Sequence, residues 1–297
     1  MATDIQRFTA TLAYIEAHLF EEIDLKQLAK QALLSEYTYH RFFTYLTGHS
    51  FTNYIRNRRL TEAVYCLRRK EQTIDELADL CGYANRSAFH RAFVNFHGLT
   101  PAQAKDEQEN INFFPPIRLN IEIAGGETLN YRIEQLPAFQ VVGKMNSYLL
   151  DEELFTQTGQ QWEVFFADGE LRKFAESAAT NKHFFGVNRA PYFAVANPQA
   201  PAGNQLNYFT GFVLAEGQTS SYSLFSIPKQ TYAVFTSEPY DYRVTANVSN
   251  TYHRLQQRIF STWLPQTDYQ RIEGPELETY VTLDDKACLE IWLPVNQ

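Results

Sequence analysis

Residues 35–48, SEYTYHRFFTYLTG, and residues 85–98, NRSAFHRAFVNFHG, are two copies of one element. Each carries His-Arg-x-Phe and then a glycine: His40, Arg41, Phe43 and Gly48 in the first, His90, Arg91, Phe93 and Gly98 in the second. These copies are 50 residues apart, whereas the upstream pairs Leu28-Ala29 and Leu77-Ala78 are 49 apart, so the turn between has gained or lost one residue. A repeat of this length is one supersecondary unit used twice. In the first copy, Ile23 to Gln31 reads as a short helix, Ser35 as the N-cap of a second helix through Leu46, and Gly48 as its stop. In the second, Thr73 caps Ile74 to Cys81, Gly82 turns the chain, and a helix from about Asn85 to Phe96 ends at Gly98. Two short helices joined by a tight turn are a helix-turn-helix.

The second helix of such a unit lies in the DNA major groove, so its outer face must be polar. In copy one Tyr39, Phe42, Phe43 and Leu46 read as inward, and Tyr37, His40 and Arg41 as outward. In copy two Phe89, Phe93 and Phe96 read as inward, and Arg86, Ser87, His90 and Arg91 as outward. Arginine can fork onto guanine, and His, Ser and Tyr can reach base edges or phosphates. Between the copies, Thr52 to Arg69 reads as one helix, roughly 27 Å long at ~1.5 Å per residue. That length would set both outer helices into successive grooves of double-stranded DNA, ~34 Å apart. Arg56 and Arg58 on this helix are candidates for phosphate contacts.

Around this core the chain changes grammar. Residues 1–100 contain no proline, and 10 of the 13 glycines lie beyond residue 105. The first stretch therefore reads as packed helices. Beyond it, 117–124, 131–136, 139–149, 208–215, 222–227, 231–237, 276–283 and 288–295 read as strands. Helices are expected from about Asp151 to Ala167 and from about Arg243 to Leu264. The expected fold class is an all-α double helix-turn-helix domain over 1–105, a linker over 106–116, and an α+β domain over 117–297. The second part shows strands, a helix and further strands twice over. The net charge of −8 splits into +2 for residues 1–105 and −10 for the rest, which places a nucleic-acid end first. No apolar run approaches the ~20 residues that span a bilayer, so no membrane partner is expected. Cys66, Cys81 and Cys288 have no metal-ligand spacing, and neither a metal nor a cofactor is expected.

The first 105 residues resemble the AraC/XylS family of transcription activators. The resemblance rests on LSEYTYHRFFTYLTGHSFTNYIRNRRLTEA, on IDELADLCGYANRSAFHRAFVNFHGLTPAQ and on Gly98-Leu99-Thr100-Pro101. It implies that Tyr37, His40, Arg41, Arg86, Ser87, His90 and Arg91 face DNA, that the protein is an activator touching RNA polymerase, and that it works in the cytoplasm on the nucleoid. The domain order resembles the Rob type of that family. The strings IEQLPAFQVVGK, IPKQTYAVFT, GPELETY and LEIWLPV resemble a GyrI-like effector-binding domain, a pair of βαβ-type repeats around a cleft. In related regulators a buried glutamate among aromatic rings takes lipophilic cations. The Glu-x-Tyr string puts Glu278 and Tyr280 at that position, with Glu290 as the second acidic candidate and Trp162, Tyr208 and Trp292 as ring candidates.

A carboxylate among rings binds a cation by charge and by ring faces. No Ser-His-Asp spacing or phosphate loop appears, so no catalytic residue is assigned. Resemblance of some GyrI-like domains to hydrolases leaves an alternative: a small-molecule hydrolase or a ligand-sequestering protein whose active site is the same cleft.

Overall fold

Five side chains start the helices of the first unit. Asp24, Ser35, Ser50, Thr73 and Asn85 each accept a hydrogen bond from a backbone amide two or three residues on, which satisfies an otherwise orphaned donor. In the computed structural model, which describes residues 4–118, 128–151, 153–169, 184–185, 189–190, 192–199, 204–214 and 222–296, they precede α2 (Leu25–Gln31), α3 (Glu36–Thr47), α4 (Phe51–Arg69), α5 (Ile74–Leu80) and α6 (Arg86–His97). Helix α1 (Asp4–Ala17) comes before them. Gly48 and Gly98 close α3 and α6 in the left-handed region.

The one-residue slip lies in the turns. Leu33 in the first turn and Gly82 in the second both have positive φ, 56° and 80°. Ser35 follows Leu33 by two positions, whereas Asn85 follows Gly82 by three. The extra residue therefore falls between the left-handed position and the cap, and the helices themselves stay aligned.

Helix α4 is a shared core element rather than a spacer. Phe51 and Tyr54 at its start pack on Phe43 at ring distances of 5.5 and 5.4 Å. Leu60, Val64 and Leu67 further along join Leu77, Phe89 and Phe93. Its arginines reach across these contacts. Arg59 donates to the carbonyls of Leu19, Glu21 and Cys81, and Arg68 to those of Ala104, Asp106 and Glu109. The segment read as a linker is thus tied along much of its length to the first unit. Phe114 accepts from Arg58 through its carbonyl and donates its amide to Thr61, and Asn112 bonds to the Phe96 carbonyl.

The chain divides into two compact units, Met1–Asn120 and Ile121–Gln297. In the second, β1 (Tyr131–Leu136), β2 (Phe139–Leu149), α7 (Leu154–Ala167), β3 (Tyr192–Ala196) and β4 (Gln205–Val213) are followed by β5 (Ser223–Ile227), β6 (Gln230–Thr236), α8 (Thr245–Arg258), β7 (Gln270–Arg271), β8 (Glu276–Thr282) and β9 (Ala287–Asn296). The strand expected at 117–124 lies mostly outside the described residues. The sheet order is β1-β6-β9-β8-β3-β4-β2-β5, with β7 on β9, and every pairing is antiparallel. Exchanging the two halves of the sequence exchanges the two halves of this order. The repeat is therefore a pseudo-two-fold whose axis passes between β3 and β8. A five-residue π-helix (Ile259–Trp263) prolongs α8.

Both faces of the sheet are buried, so its central strands read as continuous apolar runs. On one face Phe235, Leu289 and Ile291 pack with Leu255, Ile259 and Trp263 of α8 and its extension, and Val142 and Phe212 pack with Phe165 of α7. On the other, Phe139, Phe193, Phe209, Leu277 and Trp292 form a second core.

Candidate functional site

On α6, residues 86, 87, 90 and 91 are exposed, while Phe89 and Phe93 are fully buried. Arg86, Ser87, His90 and Arg91 therefore stand on one outer face, as their spacing requires. The face is not wholly basic: Arg86 Nη1 bonds at 3.2 Å to Oδ2 of Asp75 on α5. His97 leaves this face and is buried, with Nε2 3.1 Å from the Leu60 carbonyl.

The matching helix of the first copy differs. Tyr37 and His40 are half-buried, and burial pushes the His40 pKa below its ordinary value, so the ring is neutral at pH 7. Arg41 was expected on the outer face with Arg91, but it is 1% exposed. The cause lies one turn away on each side. Tyr37 and Tyr45, four residues before and after, place their rings 5.6 and 5.0 Å from the guanidinium. In α6 the same two places hold Ser87 and Asn95, which cover nothing, and Arg91 stays open.

Arg58 also departs from expectation. It is 4% exposed, donates to both oxygens of Glu16 and to Glu62, and has no free guanidinium edge to offer a phosphate. Glu16 lies 42 residues away, which is why the pairing could not be read from spacing. Arg56, two residues earlier on α4, is exposed.

In the second unit, α7, α8 and one face of the sheet enclose a cleft of about 340 Å³ lined by Trp162, Phe166, Tyr192, Tyr240, Tyr242 and Tyr280. Trp162 is its hub, edge-on to Tyr192 at 5.7 Å and Tyr280 at 5.5 Å and stacked on Phe166 at 5.6 Å. Gly159 and Ser249 bring α7 and α8 together at the wall. Glu278 lies behind these rings, on β8 directly across from Ala194 beside the pseudo-two-fold. Tyr208 donates to its Oε2 at 2.9 Å, and Tyr280 donates to its Oε1. Trp162 Nε1 donates in turn to the Tyr208 hydroxyl at 3.0 Å. Burial raises the Glu278 pKa against the pull of these two hydroxyls. Burial and then the Glu278 charge raise both tyrosines well above their ordinary value, so they remain donors. Among the described residues no cation pairs with Glu278. A buried carboxylate held only by neutral donors is costly, and it lies behind a cleft walled by rings, joined to it through Tyr280.

Glu290 and Trp292 do not join it. Along β8 and β9 successive side chains take opposite faces, and these two project from the other side of the sheet. Glu290 is already neutralised, with Arg132 at 2.8 Å and Arg189 at 2.8 Å and hydroxyls from Thr236 and Thr279. Burial works against it, but the two arginines hold its pKa below the ordinary value. Trp292 is fully buried, bonds to Thr279 and packs on Phe185 and Tyr232. The sequence reading missed Tyr192, Tyr240 and Tyr242. No local signal marks them, because they reach the cleft from β3 and from the chain between β6 and α8.

A unit with two helix-turn-helix motifs and a unit with a ring-lined cleft define a DNA-binding regulator that carries an effector-binding domain. Residues 132–295, more than half of the chain, match the family described as integron-associated effector binding protein, and residues 28–107 match a helix-turn-helix domain family. The chain belongs to that effector-binding family, joined to an AraC-type DNA-binding region. It is similar to the right origin-binding protein of Escherichia coli (strain K12), 25% identical over 281 residues, which span 92% of this chain and 90% of that one. It is also similar to the transcriptional regulator Rob of Salmonella typhimurium, 24% identical over 280 residues with the same coverage. The crystal structure of an integron cassette protein from the mobile metagenome of Vibrio cholerae aligns with 57% of this chain and 100% of its own at 14% identity, with a TM-score of 0.37.

Proposed function

We propose that this protein is a cytoplasmic, nucleoid-bound transcription activator that recognises an asymmetric DNA site through its first unit and is tuned by a lipophilic cation held in the cleft of its second. The observation that carries the DNA half is the outer face of α6, where Arg86, Ser87, His90 and Arg91 stand exposed over a buried aromatic core. At the corresponding places copy one has an exposed Glu36, a half-buried Tyr37 and His40 and a buried Arg41, together with the exposed Arg56 from α4. Because the two copies present different side chains, the bound sequence should not be a palindrome. Contact with RNA polymerase is what the family resemblance implies.

The ligand half rests on Glu278 behind Trp162 and Tyr280, which among the described residues has two tyrosine hydroxyls but no cation as partners. A cation entering the cleft would meet ring faces first and the carboxylate's field second. Tyr208 and Tyr280 keep that carboxylate fixed, so little reorganisation is needed when a cation arrives. Two measurements test the proposal. Selection of bound duplexes from a random pool should yield an asymmetric consensus, and Arg91→Glu should abolish it while circular dichroism stays unchanged. Tetraphenylphosphonium, a cation without hydrogen-bonding groups, should quench the tryptophan fluorescence, less so in Trp162→Phe, and shift the selected affinity. A protein that enriches no sequence, or whose DNA affinity ignores every lipophilic cation tried, would overturn the corresponding half.

A further inference from the structure

The ion pair on the DNA-facing side of the second helix-turn-helix is out of place for a surface that must approach phosphates. Asp75 and Arg86 are both exposed, at 67% and 59%. A carboxylate there repels the DNA backbone and lowers affinity for every sequence alike. It is not needed to start its own helix. Thr73 and Glu76 already form a reciprocal cap, with Glu76 Oε2 accepting from the Thr73 amide at 2.7 Å and Thr73 Oγ1 from the Glu76 amide at 3.2 Å. Nor does an exposed pair contribute much stability. What Asp75 does is hold one end of a guanidinium. Its Oδ2 takes Arg86 Nη1, which leaves Nη2 and Nε to point away together.

We propose that Asp75 is a specificity-positioning residue, which fixes Arg86 so that the pair reads a G·C base pair in the major groove. The free edge of Arg86 donates to guanine O6 and N7, the arrangement that a fork of two N–H groups fits. The remaining oxygen of Asp75 accepts from a cytosine N4 amino group, a donor that thymine lacks. The carboxylate thus trades general affinity for discrimination at one position. This inference rests on the reading of α6 as a base-reading helix.

The test is selection from a random duplex pool at fixed salt, using the full chain and its Asp75→Asn, Asp75→Glu and Arg86→Ala variants. Wild type should show one strongly preferred G·C position that Arg86→Ala flattens. Asp75→Asn should flatten the same position, on the order of ten- to a hundredfold in discrimination, while affinity for unrelated DNA rises severalfold. Asp75→Glu should restore part of the preference. Both substituted residues are exposed, so thermal unfolding should not move. If Asp75→Asn leaves the profile of wild type intact, or weakens every position equally, the positioning role is overturned and the DNA-reading role of α6 stands. If wild type itself enriches no consensus, both fall together.

Discussion

Replacing Glu278 with Gln separates a ligand-binding carboxylate from a structural one, because the two roles predict opposite signs. A cation seated against Trp162 and Tyr280 would lie about 6 Å from the carboxylate. With an effective dielectric constant of about 20 that charge pair contributes roughly 3 kcal/mol, or on the order of a hundredfold in affinity. Glutamine keeps the shape and one acceptor oxygen, so the rings stay in place and mainly the charge is lost. Stability should move the other way. Burial raises the Glu278 pKa in the folded protein, so this group favours the fold most at low pH and the benefit fades as pH rises through the raised value. As pH rises, more of the carboxylate is ionised while desolvated, and among the described residues no cation pairs with it. Glu278→Gln should therefore leave Tm unchanged or raise it at pH 8, with a smaller gain at pH 5. The assays are fluorescence titration with a lipophilic cation and calorimetry at both pH values. Affinity retained within twofold would refute the ligand role. A large loss of Tm would show that the hydrogen bonds from Tyr208 and Tyr280 make Glu278 a structural residue instead.

Three further outcomes follow from the packing. Arg41→Ala should cost about 2 kcal/mol in denaturant unfolding because it empties a buried slot between two rings, whereas Arg91→Ala should leave stability unchanged and remove sequence-specific binding in a gel-shift assay. Leu33→Gly should stabilise the protein by about 1 kcal/mol in chemical denaturation, since a non-glycine residue at φ 56° is strained and this side chain is 73% exposed; no change in the unfolding midpoint would refute the strain. Glu290→Gln should destabilise by roughly 2 kcal/mol, mainly because Arg189 loses its buried acidic partner, whereas Arg132 keeps Glu134. The lowered pKa of Glu290 also means that the wild-type contribution is present at neutral pH and lost as pH falls through the folded value, which a pH series of melting curves would show.

The duplicated motif was legible because its signals are local. A cap bonds to the amide two or three residues on, a glycine stops the same helix, and apolar residues recur every three or four positions. Those rules gave both helix-turn-helix units, the place of the one-residue slip and the outer face of α6. Even the burial of Arg41 has a local cause in Tyr37 and Tyr45, though identity between the copies pointed the other way. The strand pattern likewise showed the α+β nature of the second unit and its doubling.

Tertiary structure decided what contact across distance decides. Arg58 is claimed by Glu16, and Arg68 by carbonyls of the segment after α6, so a helix rich in arginine has little left for phosphates. In the second unit, strands buried on both faces carry no alternation that tells one face from the other. Glu278 and Glu290 look alike in sequence, yet one meets two tyrosine hydroxyls behind a ring-walled cleft and the other meets two arginines on the reverse side. The sequence by itself determined that two helix-turn-helix copies precede a doubled run of strands and helices. Only the pairing of β8 with β3 and β9 decided which acid lacks a cation among the described residues, because side-chain direction alternates along each strand and register alone sets what each side faces.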